Sequence, residues 1–289
     1  NVDEPYSPAP TFSGTNAASG AVFYYQLPEV SKDSLITLQI LNGRQEVVRT
    51  YSSKADEEFV SYPGGPDSDP VMPARKGLNR FVWDLKGESI AGIPTVFIEG
   101  GYDGYLVAPG EYSAVLKSGN QVLTSKVRVK ARPDLEATQA EYEEQEAILR
   151  KICEETSAIH HEVIKSRKTV KQLRETSQML KEKPGTETLR KKADKIADDL
   201  QAWEDDIVQN KAKANDDVIN FENKLTADYI FLKGELDSNT PYVPEGHKKQ
   251  FDVLHNKWLA LKQRKEKLEK DVVELNAEIS KANIGRIIL

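Results

Sequence analysis

Cysteine is almost missing from this 289-residue chain: Cys153 stands alone. That excludes an internal disulfide and any cysteine-built structural zinc site. No apolar run approaches the roughly 20 residues that a helix needs to cross a bilayer, so no transmembrane segment is expected. Basic residues do not dominate, with 40 Lys and Arg against 46 Asp and Glu and a formal net charge of −6. A nucleic-acid partner is therefore not expected, because phosphate contacts need a concentrated basic face. Catalytic signatures are missing too. There is no Gly-x-Ser-x-Gly nucleophile turn and no Gly-x-x-x-x-Gly-Lys or Gly-x-Gly-x-x-Gly phosphate cradle. Catalytic, cofactor and metal residues are accordingly left unassigned, and the chain itself is not expected to be an enzyme. Asn1 stands where a start methionine would, with no signal peptide after it, and is expected to mark a processed product.

What is present divides in two after Arg132. The first part holds 13 of the 17 glycines and 10 of the 14 prolines, and charged residues crowd the second. Glycine and proline punctuate turns, whereas charged stretches with spaced apolar residues mark solvated helices. Alternation in the first part predicts at least six strands, beginning with Ala21 to Leu27. Ile36, Leu38 and Ile40 share one face, a tight turn at Asn42-Gly43 follows, and Val47 to Tyr51 returns. Phe81, Trp83 and Leu85 share another face, as do Tyr112, Ala114 and Leu116, and Ser118-Gly119-Asn120 reverses the chain into Val122 to Lys130. The spacing predicts an immunoglobulin- or fibronectin-like antiparallel β-sandwich over about 16–132, after an extended segment over about 1–15. The proline-rich stretch from Tyr62 to Pro73 reads as an exposed loop.

The second part keeps a rhythm of three- and four-residue steps. It runs through Leu149, Ile152, Thr156, Ile159 and Val163, then Ala193, Ile196, Leu200, Trp203 and Ile207, then Leu254, Trp258, Leu261, Leu268 and Val272. Such a repeat predicts an antiparallel three-helix coiled-coil bundle over about 133–289, with helices near 135–182, 187–233 and 246–282. Polar residues in that seam, among them Gln145, Thr156, Ser166, Ser177, Asn210 and Lys265, fit register control.

Few side chains invite chemistry. His160 and His161 point about 100° apart on a helix and lack a Glu-x-x-His partner, so they read as structural. Asp67 and Asp69 offer two oxygen ligands where calcium wants six or more, so a solvated turn is the better reading. Cys153 reads as a small packed hydrophobe. Tyrosines are the more promising group. Tyr24 and Tyr25 point to opposite faces of one strand, and Tyr102 and Tyr105 flank Asp103-Gly104. A flat apolar ring with a polar tip suits a protein interface, or sugar stacking as the weaker alternative, so these four form the expected partner surface.

Several strings together resemble a known family. They are Asn16 to Ala21, Leu41 to Arg49, Gly77-Leu-Asn-Arg-Phe-Val-Trp-Asp-Leu85, Val107 to Tyr112, Asp237 to Pro241 and Leu275-Asn276. In this order they are similar to the C-terminal region of bacterial sortilin-like proteins with BNR repeats, often labelled glycosyl hydrolases. Arg132-Pro133-Asp134 departs from the family's more frequent Asp-Pro-Arg. The resemblance implies a non-catalytic docking, spacing or partner-binding module, located in the secreted, periplasmic or cell-surface space of a bacterium. It also implies a protein partner of unassigned identity, with the protein's own N-terminal β-propellers as one candidate. No Ser-x-Asp-x-Gly-x-x-Trp box is present, so the resemblance transfers no catalytic residue. Two alternatives stay open: the tail of a glycoside hydrolase whose propeller lies outside this chain, and a carbohydrate-binding module.

Overall fold

Alternation becomes strand where one face has something to bury against. The computed structural model describes residues 17–29, 34–237 and 240–281, so the extended segment expected over 1–15 lies outside the described residues. Among the described residues, six strands form two antiparallel sheets. The smaller pairs β1 (Ala21–Leu27) with β4 (Gly77–Trp83). The larger contains β2 (Ile36–Leu41), β3 (Val47–Ser52), β5 (Gly110–Ser118) and β6 (Gln121–Val129), in the order β3-β2-β5-β6. Tyr51 of β3 meets Phe81 of β4 edge-on at 4.7 Å, and Trp83 meets Tyr112 of β5 at 5.5 Å. These two T-shaped pairs bridge the sheets.

Four helices follow among the described residues: α1 (Gln139–Lys181), α2 (Glu187–Asp205), α3 (Leu225–Asp237) and α4 (Glu245–Lys281), with a 3-10 turn at Asn215–Ile219. Thr138 opens α1 with a capping box, its hydroxyl accepting from Glu141 N while the Glu141 carboxylate accepts from Thr138 N. At 43 residues, α1 is about 65 Å long.

This architecture corrects the expected β-sandwich followed by a three-helix coiled coil. The sheets are small, with two and four strands, because the chain between β4 and β5 is spent on an irregular segment. The long middle helix expected near 187–233 stops at Asp205. Its continuation carries Asn210, Asn215, Asp217, Asn220 and Asn223, and the Asp217 carboxylate accepts from Lys213 N and Ala214 N. Such side-chain bonds compete with the helical ladder. Ile207 and Val208 turn into the core instead, and Ile207 O accepts from both the amide and the hydroxyl of Thr226. The tight turn expected at Asn42-Gly43 is present, closed by Gln45 N donating to Asn42 O at 2.9 Å, and the loop extends to Glu46, whose carbonyl accepts from Asn42 N at 3.0 Å. The Asn42 side-chain oxygen gathers the amides of Arg44 and Glu46, and Gln45 takes the left-handed conformation at φ 63°.

The irregular segment over 84–109 makes the connection between the sheets and the helices. Its two ends are laced together by Val107 N to Leu85 O, Gly87 N to Tyr105 O and Ile90 N to Tyr102 O. Ile90, Ile93, Val96 and Ile98 are all buried, so this strap is held by its own apolar side chains as well as by hydrogen bonds. One continuous hydrophobic cluster runs from Ile36 in β2 through the strap to Ile279 in α4.

Trp83 is fully buried, donates its indole N–H to Lys86 O at 2.8 Å and bridges the sheets. Trp83→Ala is expected to cost about 3–5 kcal/mol in a urea melt, the range for deleting a buried aromatic. A loss below about 1 kcal/mol would remove its bridging role.

Candidate functional site

The four tyrosines do not form one surface. Tyr24 is 64% exposed on the outer face of β1. Its neighbour Tyr25 points inward and donates its hydroxyl to Pro73 O at 2.5 Å. Tyr102 and Tyr105 are each only 6% exposed, because the strap that carries them folds inward against α1. The Tyr105 ring receives the Arg150 guanidinium at 5.5 Å, and Tyr102 tilts toward the His160 ring at 6.3 Å. The partner surface expected at Tyr25, Tyr102 and Tyr105 is therefore corrected: these rings pack the interior, and of the four only Tyr24 is exposed.

The densest polar constellation surrounds Arg49, which sequence reasoning passed over. Arg49 is 4% exposed although it sits on β3, at the edge of the sheet. One terminal nitrogen donates to Gly87 O at 3.1 Å and Ser89 Oγ at 2.8 Å, and the other pairs with Asp69. Glu88 lies 3.5 Å away, and the guanidinium covers the Tyr51 ring at 5.1 Å. Tyr51 in turn donates to Asp84 at 3.3 Å. A cavity of about 450 Å³ opens beside this group, lined also by Asp67 and by Asp103, which pairs with Lys86 at 2.7 Å. Burial raises the Glu88 carboxyl above its ordinary range, and the Lys86 hydrogen bond lowers that of Asp103.

Chemically this constellation is a clasp. A guanidinium with its terminal nitrogens committed to Asp69, Ser89 and Gly87 O ties three chain segments together: β3, the proline-rich loop and the strap. Asp69 is thereby spent on Arg49, and among the described residues no group of three or more His, Cys, Asp or Glu side chains is placed to hold a metal ion. The proline-rich stretch is also more anchored than expected. Met72 is buried and its amide donates to Ser52 O at 2.8 Å, while Asp67 to Val71 remain on the surface.

Other polar clasps sit where helices meet. Glu155 of α1 accepts from Tyr229 of α3 at 2.7 Å and lies 2.7 Å from His255 Nδ1 of α4. Burial, and then the Glu155 carboxylate, push the Tyr229 hydroxyl far above the phenol range, so it keeps its proton and is no nucleophile. Glu204 is buried and bonded to Arg167 and Asn210. Lys265 is buried against Glu162, with its ammonium 5.3 Å from the Trp203 ring centre. Cys153 is buried, and burial pushes its thiol up to about 12, far from a reactive thiolate.

The strap meets α1 at a joint of its own. Ala91 N donates to Ser157 Oγ at 3.2 Å, His160 Nδ1 donates to Ala91 O at 2.5 Å, and Arg167 donates to Pro94 O at 2.8 Å. Nearby, Ala108 N donates to the Glu146 carboxylate at 2.7 Å. His161, the adjacent histidine, is exposed. Sequence reasoning separated the two histidines without showing that one of them is the joint.

No family model, curated protein or solved structure matches this chain.

Burial holds His160 down to about 4, against an ordinary value near 6.5. The unfolded chain therefore binds a proton at His160 that the folded chain refuses. The stability tied to neutral His160 is fully present above pH 6.5 and is lost as pH falls toward 4, by at most about 3 kcal/mol. Stability measured by urea melts between pH 7 and 4 is expected to fall less steeply for His160→Asn, which keeps a donor for Ala91 O and removes the titration. Parallel profiles for the two proteins would contradict this.

Proposed function

We propose that this chain is a non-catalytic docking and spacing module. The strap-to-α1 joint carries this reading. Four hydrogen bonds and a continuous apolar cluster hold a small β unit at a fixed orientation on a helix about 65 Å long. A rigid bracket of this kind sets the distance and angle between whatever contacts the sheets and whatever contacts the far ends of the helices.

In this reading the module belongs to a larger secreted or envelope protein of the sortilin-like, BNR-repeat kind. The strings that carry the resemblance support that assignment by being structural. Phe81 and Trp83 fill the core between the sheets, and Asn79 is buried and bonded to Arg75 and Gly77. Tyr112 donates to Ala108 O at 2.8 Å. Such residues specify an architecture and not a chemistry. For the carbohydrate-binding alternative Tyr102 and Tyr105 are buried and offer no platform for a sugar ring, which leaves it the exposed ring of Tyr24.

The test is the intact mass of the native polypeptide that carries this sequence in its source organism. A mass well above 32.4 kDa, with propeller sequence ahead of this region, is the expected result. A native mass of 32.4 kDa would overturn the assignment to a larger propeller protein.

A further inference from the structure

A β-sheet has two edges, and the four-stranded sheet treats its two differently. At β3 the edge is closed. Thr50 N donates to the Glu88 carboxylate at 2.7 Å, Ser52 O accepts from Met72 N at 2.8 Å, and the Arg49 clasp holds the proline-rich loop and the strap beside the strand. At β6 the edge is open. The strand is nine residues long, contains no proline, and pairs with β5 in an unbroken register from Gly110↔Val129 to Ser118↔Gln121. Seven of its nine residues are exposed and the other two are half-buried.

The turn between β5 and β6 tells which backbone groups are free. Ser118 and Gln121 flank a two-residue turn, Gly119-Asn120, and in such a hairpin the flanking pair exchanges both hydrogen bonds. Alternation from there sends the N–H and C=O groups of Val122, Thr124, Lys126 and Arg128 away from β5. Among the described residues, no other segment bonds to those backbone groups. A long, unbroken edge of this kind is a template for one more strand.

Side chains say what kind of strand fits. On the inner face Leu123 is 64% exposed although it stands opposite Leu116, and Val127 and Val129 are only half-buried. An added strand with apolar side chains on that face would extend the core over them. On the outer face β6 presents Val122, Thr124, Lys126 and Arg128 and no acid, in a chain whose net charge is −6. Arg128 has Glu111 within 3.4 Å, and Lys126 has no ion pair among the described residues. A second copy of β6 would bring these cations against one another, which is unfavourable across a strand pair. Carboxylates meet them favourably.

We propose that the free edge of β6 docks an extended segment of a partner protein in which apolar and acidic residues alternate, added as a fifth strand. This deepens the docking reading above and rests on it. The probe is a labelled nine-residue peptide alternating valine with glutamate, and the control replaces glutamate with lysine. Fluorescence anisotropy with the full chain is expected to show the glutamate peptide binding at least tenfold more tightly than the lysine peptide.

Thr124→Pro removes one outward N–H without touching a bond to β5 and is expected to weaken the glutamate peptide at least tenfold. Lys126→Glu keeps every backbone group and is expected to reverse the preference between the peptides, with thermal melts of both variants confirming the fold. No binding of the glutamate peptide up to about 1 mM, or equal binding of the two peptides by the wild-type chain, would overturn the proposal. A concentration-dependent dimer in sedimentation that Thr124→Pro dissolves would also overturn it, by making the occupant a second copy. Any of these failures would leave the spacing reading standing, since that reading is tested on the native mass and not on β6.

Discussion

The contact on which the rest of the structure depends is the seating of the strap on α1. Two small antiparallel sheets, one of them only two strands wide, bury little by themselves. Between β4 and β5 the chain supplies Ile90, Ile93, Val96 and Ile98 and turns them inward. The strap's backbone is irregular, so its polar groups need partners outside a sheet ladder. Ser157, His160 and Arg167, spaced along one side of α1, provide them at Ala91 and Pro94. Neutral His160 suits this place: its Nδ1–H satisfies a carbonyl at little charge cost, where a cation would have to be desolvated.

A second principle recurs at the junctions. Arg49 links β3, the proline-rich loop and the strap; Glu155 links α1, α3 and α4; Lys265 joins α4 to α1 beside Trp203. Buried ionic groups add little net stability, because desolvation costs several kcal/mol per ion before the partner returns it. Removing one partner is costly all the same, so each clasp penalises packings in which its segments part. Register and orientation are thereby held where apolar contacts alone would slide. For a molecule whose proposed role is to hold a distance and an angle, that is the useful property.

Much of the local structure was legible in the sequence, and the assembly was not. Strand positions followed from alternation because one face of each strand is buried, as at Ile36, Leu38 and Ile40. Apolar spacing placed the end of α1 at Lys181 beside the expected 182 and the start of α4 at Glu245 beside the expected 246, while α1 begins at Gln139, four residues inside the expected 135. The middle helix failed because an apolar rhythm continues through Ala214 and Phe221 while Asn and Asp side chains bond the backbone locally. The tyrosines failed for another reason. Glycine-rich sequence around Tyr102 and Tyr105 reads as exposed loop, and nothing local reveals that α1 arrives to cover it. Arg49 was invisible because a lone arginine in a strand normally snorkels to water; its acceptors lie 20 to 40 residues away along the chain.

If the strap unites the sheets with the helices, the two parts should unfold together. Hydrogen exchange followed by mass spectrometry across a urea series reads β2, β5, the strap and the middle of α1 in one experiment. Coincident midpoints for all four segments are expected. Sheets that lose protection in a separate, earlier transition while α1 stays protected would contradict the joint and leave a helical bundle with a loosely tethered β unit.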